Sequence, residues 1–164
     1  MFKYKDNKVL FIVDDNPIIA KLIESYLSEF DDVKIYTFES GEECLKNLHL
    51  NPSLIFLDYY LDSYEESNMK GCEVLVKVKE YDKDTQVIIM SGKSSNEIIS
   101  KTTLCGSDGF FIKDNLILDK VKEKVNDSLS IFTLVKKYKR SKIIKKNLYL
   151  IILLLLSIIL KLSI

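Results

Sequence analysis

Residues 9–17, VLFIVDDNP, join five apolar residues to two adjacent aspartates and an Asn-Pro pair. An apolar run rich in Val, Ile and Leu is typical of a strand buried on both faces of a parallel sheet. Proline suits the first position of a helix, so Pro17 predicts that a helix follows the strand at once. Adjacent carboxylates disfavour each other's charged form. Asp14 and Asp15 therefore indicate a charged site at the end of this strand, although a solvated turn would use the same residues.

Short apolar runs alternate with helical patterns along most of the chain, which is typical of βαβ units and a parallel sheet. Strands are predicted at residues 8–14, 33–38, 53–58, 86–91 and 109–113. Helices are predicted at about residues 17–27, 41–48, 71–81 and 95–104, and from about 115 onward. Ser40 with Glu43, and Ser94 with Glu97, match the capping box that opens a helix. No Pro or Gly follows Gly109, so the fifth helix is predicted to continue toward the C-terminus.

Charge is distributed unevenly along a chain whose formal net charge is zero. Residues 1–114 hold 13 Lys and Arg against 21 Asp and Glu, a net charge of −8. Residues 115–164 hold 11 against 3, a net charge of +8. Such asymmetry indicates two parts with different physical roles. We predict a folded domain over residues 1–130 and a separate C-terminal segment.

The last residues, 148–164, read LYLIILLLLSIILKLSI and contain one charge, Lys161. A transmembrane helix needs roughly 17–25 such residues. The preceding stretch 136–146, KKYKRSKIIKK, has seven Lys and Arg and no acid, which fits the positive-inside rule and attracts anionic lipids. We predict a basic juxtamembrane helix or linker at 131–147 and a transmembrane anchor at 148–164. This anchor would tether a cytoplasmic domain to the inner membrane.

Two other interpretations of this C-terminal segment are possible. The apolar run would also suit a packed core helix or an oligomerisation helix, but it lacks the charged flanks at heptad spacing of a coiled coil. The basic stretch would also suit nucleic-acid binding, but no folded reading element accompanies it. No nucleic-acid partner is therefore expected.

Polar side chains close four of the five predicted strands. In an open parallel sheet, the ligand site lies outside the carboxyl ends of the strands. The residues at those ends are Asp14, Asp15, Asp58, Ser91 and Lys113. Three carboxylates at one point need a cation to offset their repulsion, and Mg²⁺ takes oxygen ligands. The sequence therefore predicts a Mg²⁺ site at this edge of the sheet.

The same residues predict phosphoryl transfer. Asp58 ends the apolar run IFLD and is the most central acid, and a carboxylate that attacks phosphorus forms an acyl phosphate. The metal and the Lys113 ammonium would neutralise the charge that grows on the phosphoryl oxygens. Ser91 can donate a hydrogen bond to one of those oxygens.

Four motifs carry a family resemblance: VDDNP (13–17), IFLD (55–58), MSGKS (90–94) and GFFIKD (109–114). In this order and at these spacings they resemble the receiver domain of two-component response regulators, over residues of about 5–128. The resemblance implies an α/β fold, a doubly wound (βα)₅ domain with a flavodoxin-like five-stranded parallel sheet, here followed by a C-terminal helical extension. It also implies phosphorylation of Asp58 by a histidine kinase or a phosphotransfer protein.

The resemblance also implies roles for individual residues. Asp15 and Asp58 would bind Mg²⁺ directly, Asp14 would act mainly through water, and the backbone carbonyl of Tyr60 would be a further ligand. Ser91 and Phe110 would move together as switch residues when Asp58 is phosphorylated. Their movement would remodel the face formed by the fourth helix, the fifth strand and the fifth helix, where a downstream protein would bind.

Two departures from the family pattern affect the predicted active site. Asp114 follows Lys113 where the family usually has a proline in a cis bond, and a cis bond to another residue costs about 2.5–4 kcal/mol. This loop is therefore either trans or strained. The loop after Asp58, YYLDSYEESNMKG, is longer than usual and carries acids that would repel a phosphoryl group, Asp62, Glu65 and Glu66.

We therefore predict a phosphoacceptor signalling domain that catalyses its own phosphoryl transfer and dephosphorylation and is not otherwise an enzyme. It would act through protein contacts rather than through a DNA-binding output domain. The alternative is a receiver-fold scaffold at the membrane that is never phosphorylated. A hydrolase with an aspartyl-phosphate intermediate is a third, weaker hypothesis, because the chain has adjacent aspartates rather than a DxD motif.

The histidine and cysteine content excludes some other chemistries. His49 is the only histidine, which excludes a site built from several histidines. Cys44, Cys72 and Cys105 are scattered and form no CxxC motif. This pattern fits reduced thiols in a cytoplasm that serve as small packing residues.

Overall fold

A computed structural model describes residues 8–61, 70–93 and 95–162, in which five strands alternate with five α-helices. The strands are β1 (Val9–Val13), β2 (Lys34–Phe38), β3 (Leu54–Asp58), β4 (Gln86–Ser91) and β5 (Gly109–Ile112). The helices are α1 (Pro17–Tyr26), α2 (Gly41–Lys46), α3 (Gly71–Tyr81), α4 (Asn96–Leu104) and α5 (Ile117–Leu162), with 3-10 helices at Leu27–Glu29 and Leu48–Leu50. The predicted α/β class and the five βα units are confirmed.

All strand pairs are parallel, and the strand order is β2-β1-β3-β4-β5. The chain first adds β2 on one side of β1 and then crosses to add β3 on the other side. A reversal of this kind creates a crevice at the carboxyl ends of the two strands involved, here β1 and β3. Because Val13 pairs with Leu57, the residues that follow each of them lie side by side at that crevice.

The central strands anchor this edge of the sheet. Every residue of β1 and β3 is buried, and the side chains of Phe11 and Phe56 are completely inaccessible to solvent. Burying a side chain of this size contributes about 1.5–3 kcal/mol. Phe11 also packs edge-to-face against Phe38 of β2, with ring centroids 4.8 Å apart. The outer strands β2 and β5 are partly exposed because each pairs on one side only.

Side-chain caps set the starts of three helices. The Asn16 side chain accepts a hydrogen bond at the start of α1, and Ser40 accepts one from the Glu43 amide at 3.2 Å, as its capping-box pattern predicts. Helix α4 is capped by Ser95. The capping-box pattern predicts this cap one residue earlier, at Ser94, which lies outside the described residues.

The chain divides into two compact units, Met1–Ser128 and Leu129–Ile164. The first unit contains the whole sheet. In the second unit, the part that the structure describes is helical as far as Leu162.

Within the part of the chain that the structure describes, none of the helices combines the length and the apolar character that a membrane span requires. The transmembrane anchor predicted at residues 148–164 is therefore not found there. The described part of this run ends at Leu162, and residues 163 and 164 lie outside it. Residues immediately before the run do not extend it, because Lys145 and Lys146 are charged.

Gly41 provides a test of the packing between α2 and α3. A Cβ atom at Gly41 would lie 2.2 Å from Cγ2 of Val74, which is far closer than a van der Waals contact. Because overpacking a core costs about 1–3 kcal/mol, we expect Gly41→Ala to lower the free energy of unfolding by that amount in urea titrations followed by circular dichroism. Gly92→Ala is the matched control, since nothing lies within 4 Å of its Cβ position. Equal stability of the two variants would contradict this packing.

Candidate functional site

The carboxyl ends of β1 and β3 bring three acidic side chains together. Asp14, Asp15 and Asp58 each place a carboxylate oxygen within 4.8 Å of the others. Asp14 and Asp58 are buried, and Asp15 is partly exposed. The cluster that the strand ends predicted therefore forms, and its open side is at Asp15.

Lys113 joins two of these carboxylates. It follows β5, and its amide donates a hydrogen bond of 2.8 Å to the Ser91 carbonyl, which directs the residue across the top of β4. Its Nζ lies 2.6 Å from Oδ2 of Asp58 and 2.6 Å from Oδ2 of Asp14. Only 13% of the Lys113 side chain is exposed, so solvent screens these contacts weakly.

The charges of the pocket are not balanced by Lys113 alone. Burial raises the pKa of Asp58 to about 6, and nearby Asp14 adds to this effect, whereas Lys113 opposes both. Burial by itself would lower the pKa of Lys113, but the Asp58 and Asp14 carboxylates outweigh burial and raise it. Lys113 is therefore stabilised in its protonated form, and ionisation of the Asp58 carboxyl group is disfavoured.

Backbone hydrogen bonds orient the buried carboxylates. Oδ1 of Asp14 accepts the Asn16 amide at 3.1 Å, and Oδ1 of Asp58 accepts the Tyr60 amide at 3.2 Å. Each aspartate thus closes a turn onto the residue two positions later, which is a typical use of aspartate at the end of a strand. The side chains cannot rotate away from each other without losing these bonds.

Gly71 allows α3 to begin against the loop that carries Asp58. Its amide donates to the Tyr59 carbonyl at 3.3 Å. A Cβ at this position would lie 2.4 Å from the Asp58 carbonyl oxygen, so only glycine fits beside this backbone. The sequence pattern does not identify Gly71 as part of the site, and only the glycine itself, at the start of a helical pattern, indicates it.

The residues of the pocket fit a divalent cation. Oδ2 of Asp14 is buried and makes no hydrogen bond of regular geometry, although Lys113 lies 2.6 Å away. Oxygen donors of this kind are the ligands that Mg²⁺ prefers. Asp15 and Asp58 complete an all-oxygen cluster. Tyr60 follows Asp58 closely in the same loop, and the role of its carbonyl stays a prediction.

The two predicted switch residues lie on neighbouring strands. Ser91 ends β4, is completely buried, and its Oγ accepts the Lys93 amide at 3.2 Å. Phe110 in β5 is partly buried against the hydrophobic core, and it pairs with Ile89 of β4. The structure therefore places both on the β4–β5 side of the sheet, and their movement stays a prediction.

Asp114 occupies a trans loop, since no cis peptide bond occurs in the described part of the chain. This settles the alternative that the sequence left open. Its carboxylate accepts the Leu116 amide at 3.0 Å and pairs with Lys120 at 2.8 Å. The hydrogen bond from Lys120 is the largest cause that lowers the pKa of Asp114. Asp114 thus tethers the start of α5, a role that an aspartate just before a helical pattern could have indicated.

The second departure from the family pattern is the long acidic loop after Asp58. Residues 62–69, which include Asp62, Glu65 and Glu66, lie outside the described residues. Their predicted repulsion of a phosphoryl group stays a prediction.

The ion pairs of Lys113 can be tested by replacing the lysine with an uncharged side chain. In metal-free buffer we expect Lys113→Met to lower the free energy of unfolding by about 3 kcal/mol, because it leaves two buried carboxylates without their partner. Lys120→Met is the matched control: it breaks the more exposed pair with Asp114, and we expect a loss below about 1 kcal/mol. Urea unfolding in the presence of a chelator measures both. Equal losses would contradict a special role for Lys113.

The chain is similar in sequence and in fold to known regulatory proteins. The chain is 29% identical over 108 residues to the transcriptional regulatory protein MalR of Bacillus subtilis, covering 63% of this chain and 43% of MalR. It thus spans less than half of the length of that relative. It is 27% identical over 108 residues to the chemotaxis protein CheY of Treponema pallidum, covering 63% of this chain and 71% of CheY. The crystal structure of the signal receiver domain of a LuxO repressor protein from Vibrio parahaemolyticus superposes with a TM-score of 0.67 at 24% identity, over 79% of this chain and 95% of that one.

A family model described as the response regulator receiver domain matches residues 10–126. This range contains all three carboxylates of the cluster, Ser91 and Lys113. An acidic triad of this kind is typical of the Mg²⁺ site of receiver domains. Receiver domains are signalling phosphoacceptors rather than classical enzymes, and they partner with histidine kinases. The protein belongs to the response regulator receiver domain family.

Proposed function

We propose that Asp58 accepts a phosphoryl group from the phosphohistidine of a histidine kinase or a phosphotransfer protein, with Mg²⁺ bound. The observation that carries this proposal is the position of the Asp58 carboxylate. It lies at the end of a central strand, 2.6 Å from the Lys113 ammonium and beside two further carboxylates. The module would then act through protein contacts that depend on its phosphorylation.

Asp58 is the nucleophile of the proposed transfer. One of its carboxylate oxygens attacks phosphorus, the bond between phosphorus and the histidine nitrogen breaks, and an acyl phosphate forms. Asp14, Asp15, Asp58 and the Tyr60 carbonyl would hold Mg²⁺, which supplies positive charge for the crowded oxygens when bound. The hydrogen bond from the Tyr60 amide keeps Asp58 aimed into the pocket. Hydrolysis of the acyl phosphate in the same site would return Asp58 to its free form.

Lys113 and Ser91 respond to the new phosphoryl group. The Lys113 ammonium already contacts Asp58, so it can neutralise a phosphoryl oxygen after a small movement. Ser91 Oγ accepts the Lys93 amide, so its hydroxyl proton can be donated to another phosphoryl oxygen. Because Lys113 and Ser91 are joined through their backbones, these two movements would pull on β4 and β5 together, and on Phe110 within β5.

The proposed surface for a downstream protein is the face formed by α4, β5 and α5. It exposes large apolar side chains, which are Ile99 and Leu104 on α4, Ile112 on β5, and Leu116 just before α5 begins. Exposed apolar residues that lie near one another favour protein binding. The proposed movement of Ser91 and Phe110 occurs directly beneath this face.

Phosphorylation of Asp58 can be tested with a small phosphodonor. Incubation of the full chain with acetyl phosphate and Mg²⁺ is expected to add the mass of one phosphate, in a linkage that is stable to acid and labile to alkali. We expect Asp58→Asn to lose this gain completely, because the amide is not a nucleophile. Asp32→Asn is the control, since Asp32 precedes β2 at the opposite edge of the sheet and is largely exposed. Intact-mass spectrometry measures the result, and a mass gain that survives Asp58→Asn would refute the proposal.

The second candidate is a receiver-fold scaffold that is never phosphorylated. The observation that favours it is Asp114, whose trans loop and contact with Lys120 differ from the proline of the family pattern. A Mg²⁺ titration separates the two functions: a phosphoacceptor binds the ion, whereas a scaffold with an inactive pocket leaves it free.

Association with a membrane remains a proposal from the sequence of the C-terminal segment. The structure supports this proposal through exposed side chains of the C-terminal helix. Basic residues are exposed there together with four apolar or aromatic ones, Tyr138, Ile143, Ile144 and Leu148. Apolar and basic residues exposed on one segment favour the surface of an anionic membrane. The proposed location is the cytoplasmic side of the inner membrane.

Membrane association can be tested by truncation. We expect the full chain to sediment with vesicles that contain anionic lipid, and a version that ends at Ser130 to stay in the supernatant. The truncated version keeps the complete sheet and all residues of the acidic cluster, so it serves as its own folding control in circular dichroism. An equal distribution of the two proteins would exclude the proposed association.

A further inference from the structure

Hydrogen bonds hold the backbone on both sides of the Lys113 Cα atom. The Lys113 amide donates to the Ser91 carbonyl at 2.8 Å, and the Asp114 amide donates to the Ile112 carbonyl at 2.9 Å. The second bond closes a three-residue turn with Lys113 at its centre, a kind of turn that is common at strand ends. A proline at position 114 would have no N–H to donate, so it could not close this turn. The backbone of Lys113 is therefore fixed at the end of β5 by bonds that another residue makes possible.

Asp114 connects this turn to α5 through its remaining polar groups. Its carbonyl accepts the Ile117 amide at 3.1 Å, and its Oδ1 accepts the Leu116 amide at 3.0 Å. Both carboxylate oxygens also accept from Nζ of Lys120, at 3.0 Å for Oδ1 and 2.8 Å for Oδ2. The carboxylate thus joins the turn around Lys113 to the first turn of α5, and Lys120 holds the carboxylate in place.

A second ion pair on α5 provides a comparison. Nζ of Lys122 lies 2.6 Å from Oε1 of Glu29, and the two side chains are 36% and 49% exposed. The side chains of Lys120 and Asp114 are 31% and 43% exposed, so solvent reaches the two pairs to a similar extent. Lys122 joins α5 to the 3-10 helix that follows α1, whereas Lys120 joins α5 to the loop that carries Lys113. The two pairs therefore differ in what they connect rather than in their exposure.

We propose that the ion pair of Asp114 with Lys120 positions Lys113 for phosphoryl transfer, in place of the proline that the family pattern has at position 114. This inference deepens the proposed function and rests on it. The Lys113 ammonium contacts Asp58 and Asp14, and these contacts would change when a phosphoryl group is added to Asp58. The backbone then has to stay in place while the ammonium follows the new oxygens. A proline restricts a backbone through its ring, whereas this chain restricts it through a charged pair and the turn beside it.

Two charge substitutions distinguish positioning from simple attraction of the phosphodonor. Acetyl phosphate is an anion, so attraction alone would make Lys120→Met react more slowly and Asp114→Asn react faster. Positioning makes both variants slower, because each of them removes the same ion pair. The asparagine side chain still has an oxygen that can accept the Leu116 amide, so Asp114→Asn keeps the start of α5. A loss of rate in both variants is therefore specific to positioning.

The first measurement is the initial rate of phosphorylation of the full chain by acetyl phosphate at saturating Mg²⁺. We expect Lys120→Met and Asp114→Asn each to lower this rate by about two- to fivefold, the range that the loss of one exposed ion pair allows. Lys120→Arg retains a cation that can pair with Asp114, and it should recover most of the native rate. Lys122→Met is the matched control and should leave the rate unchanged, because its pair with Glu29 does not involve the Lys113 loop.

The second measurement is amide hydrogen exchange in the full chain, followed by NMR without any phosphodonor. The amides of Lys113 and Asp114 both donate hydrogen bonds, so they should exchange slowly in the native chain. We expect Lys120→Met to accelerate the exchange of both amides by about two- to fivefold, since the loop opens more often without the ion pair. Lys122→Met should leave their exchange unchanged. This measurement reports on the loop whether or not Asp58 is phosphorylated.

The outcomes separate this inference from the proposed function. If the native chain is phosphorylated and neither variant is slower, the proposed function stands and the positioning role is refuted. A faster reaction of Asp114→Asn would also refute it, in favour of simple attraction. If the native chain is not phosphorylated at all, the proposed function fails and hydrogen exchange decides about the loop alone. Equal exchange of the Lys113 and Asp114 amides in the native chain and in Lys120→Met would then overturn the inference, and faster exchange in Lys120→Met would support it.

Discussion

The pocket depends on the contacts of one ammonium group with two buried carboxylates. Lys113 approaches both Asp14 and Asp58 at 2.6 Å, and without it two like charges would be buried side by side. Lys113 does not neutralise the cluster completely, since Asp15 adds a third carboxylate and the pKa of Asp58 remains raised to about 6. The folded domain thus contains more negative than positive charge in this pocket. A metal ion or a phosphoryl group bound here would change that balance directly, which supports the proposed phosphorylation of Asp58.

The topology of the sheet decides where this charge balance is located. The chain reverses direction across the sheet between β1 and β3, which creates a crevice at their carboxyl ends. The completely buried strands hold the aspartates at fixed positions, and turns closed by Asn16 and Tyr60 fix their orientation. Gly71 and Asp114 shape the loops around the site. Gly71 has no side chain, so α3 can begin against the Asp58 backbone, and Asp114 accepts hydrogen bonds at the start of α5.

Most elements could be predicted because they depend on local patterns. An apolar run of strand length, an acid at its end and a capping serine are visible without any partner, and strand boundaries differed by one residue at most from those observed, as at β1 (Val9–Val13). Contacts between distant residues were harder to predict. The strand order came from a family resemblance rather than from periodicity, and the close approach at Gly71 has no local signal.

The sequence by itself determined the α/β class, the order of the elements and the residues of the acidic cluster, because hydrophobic periodicity and polar strand ends are properties of short segments. Only the tertiary structure decided that Lys113 contacts Asp14 as well as Asp58, and that the Asp114 loop is trans. These features depend on how separate segments pack and on the distances between their charged or polar atoms. Such distances exist only after the chain has folded.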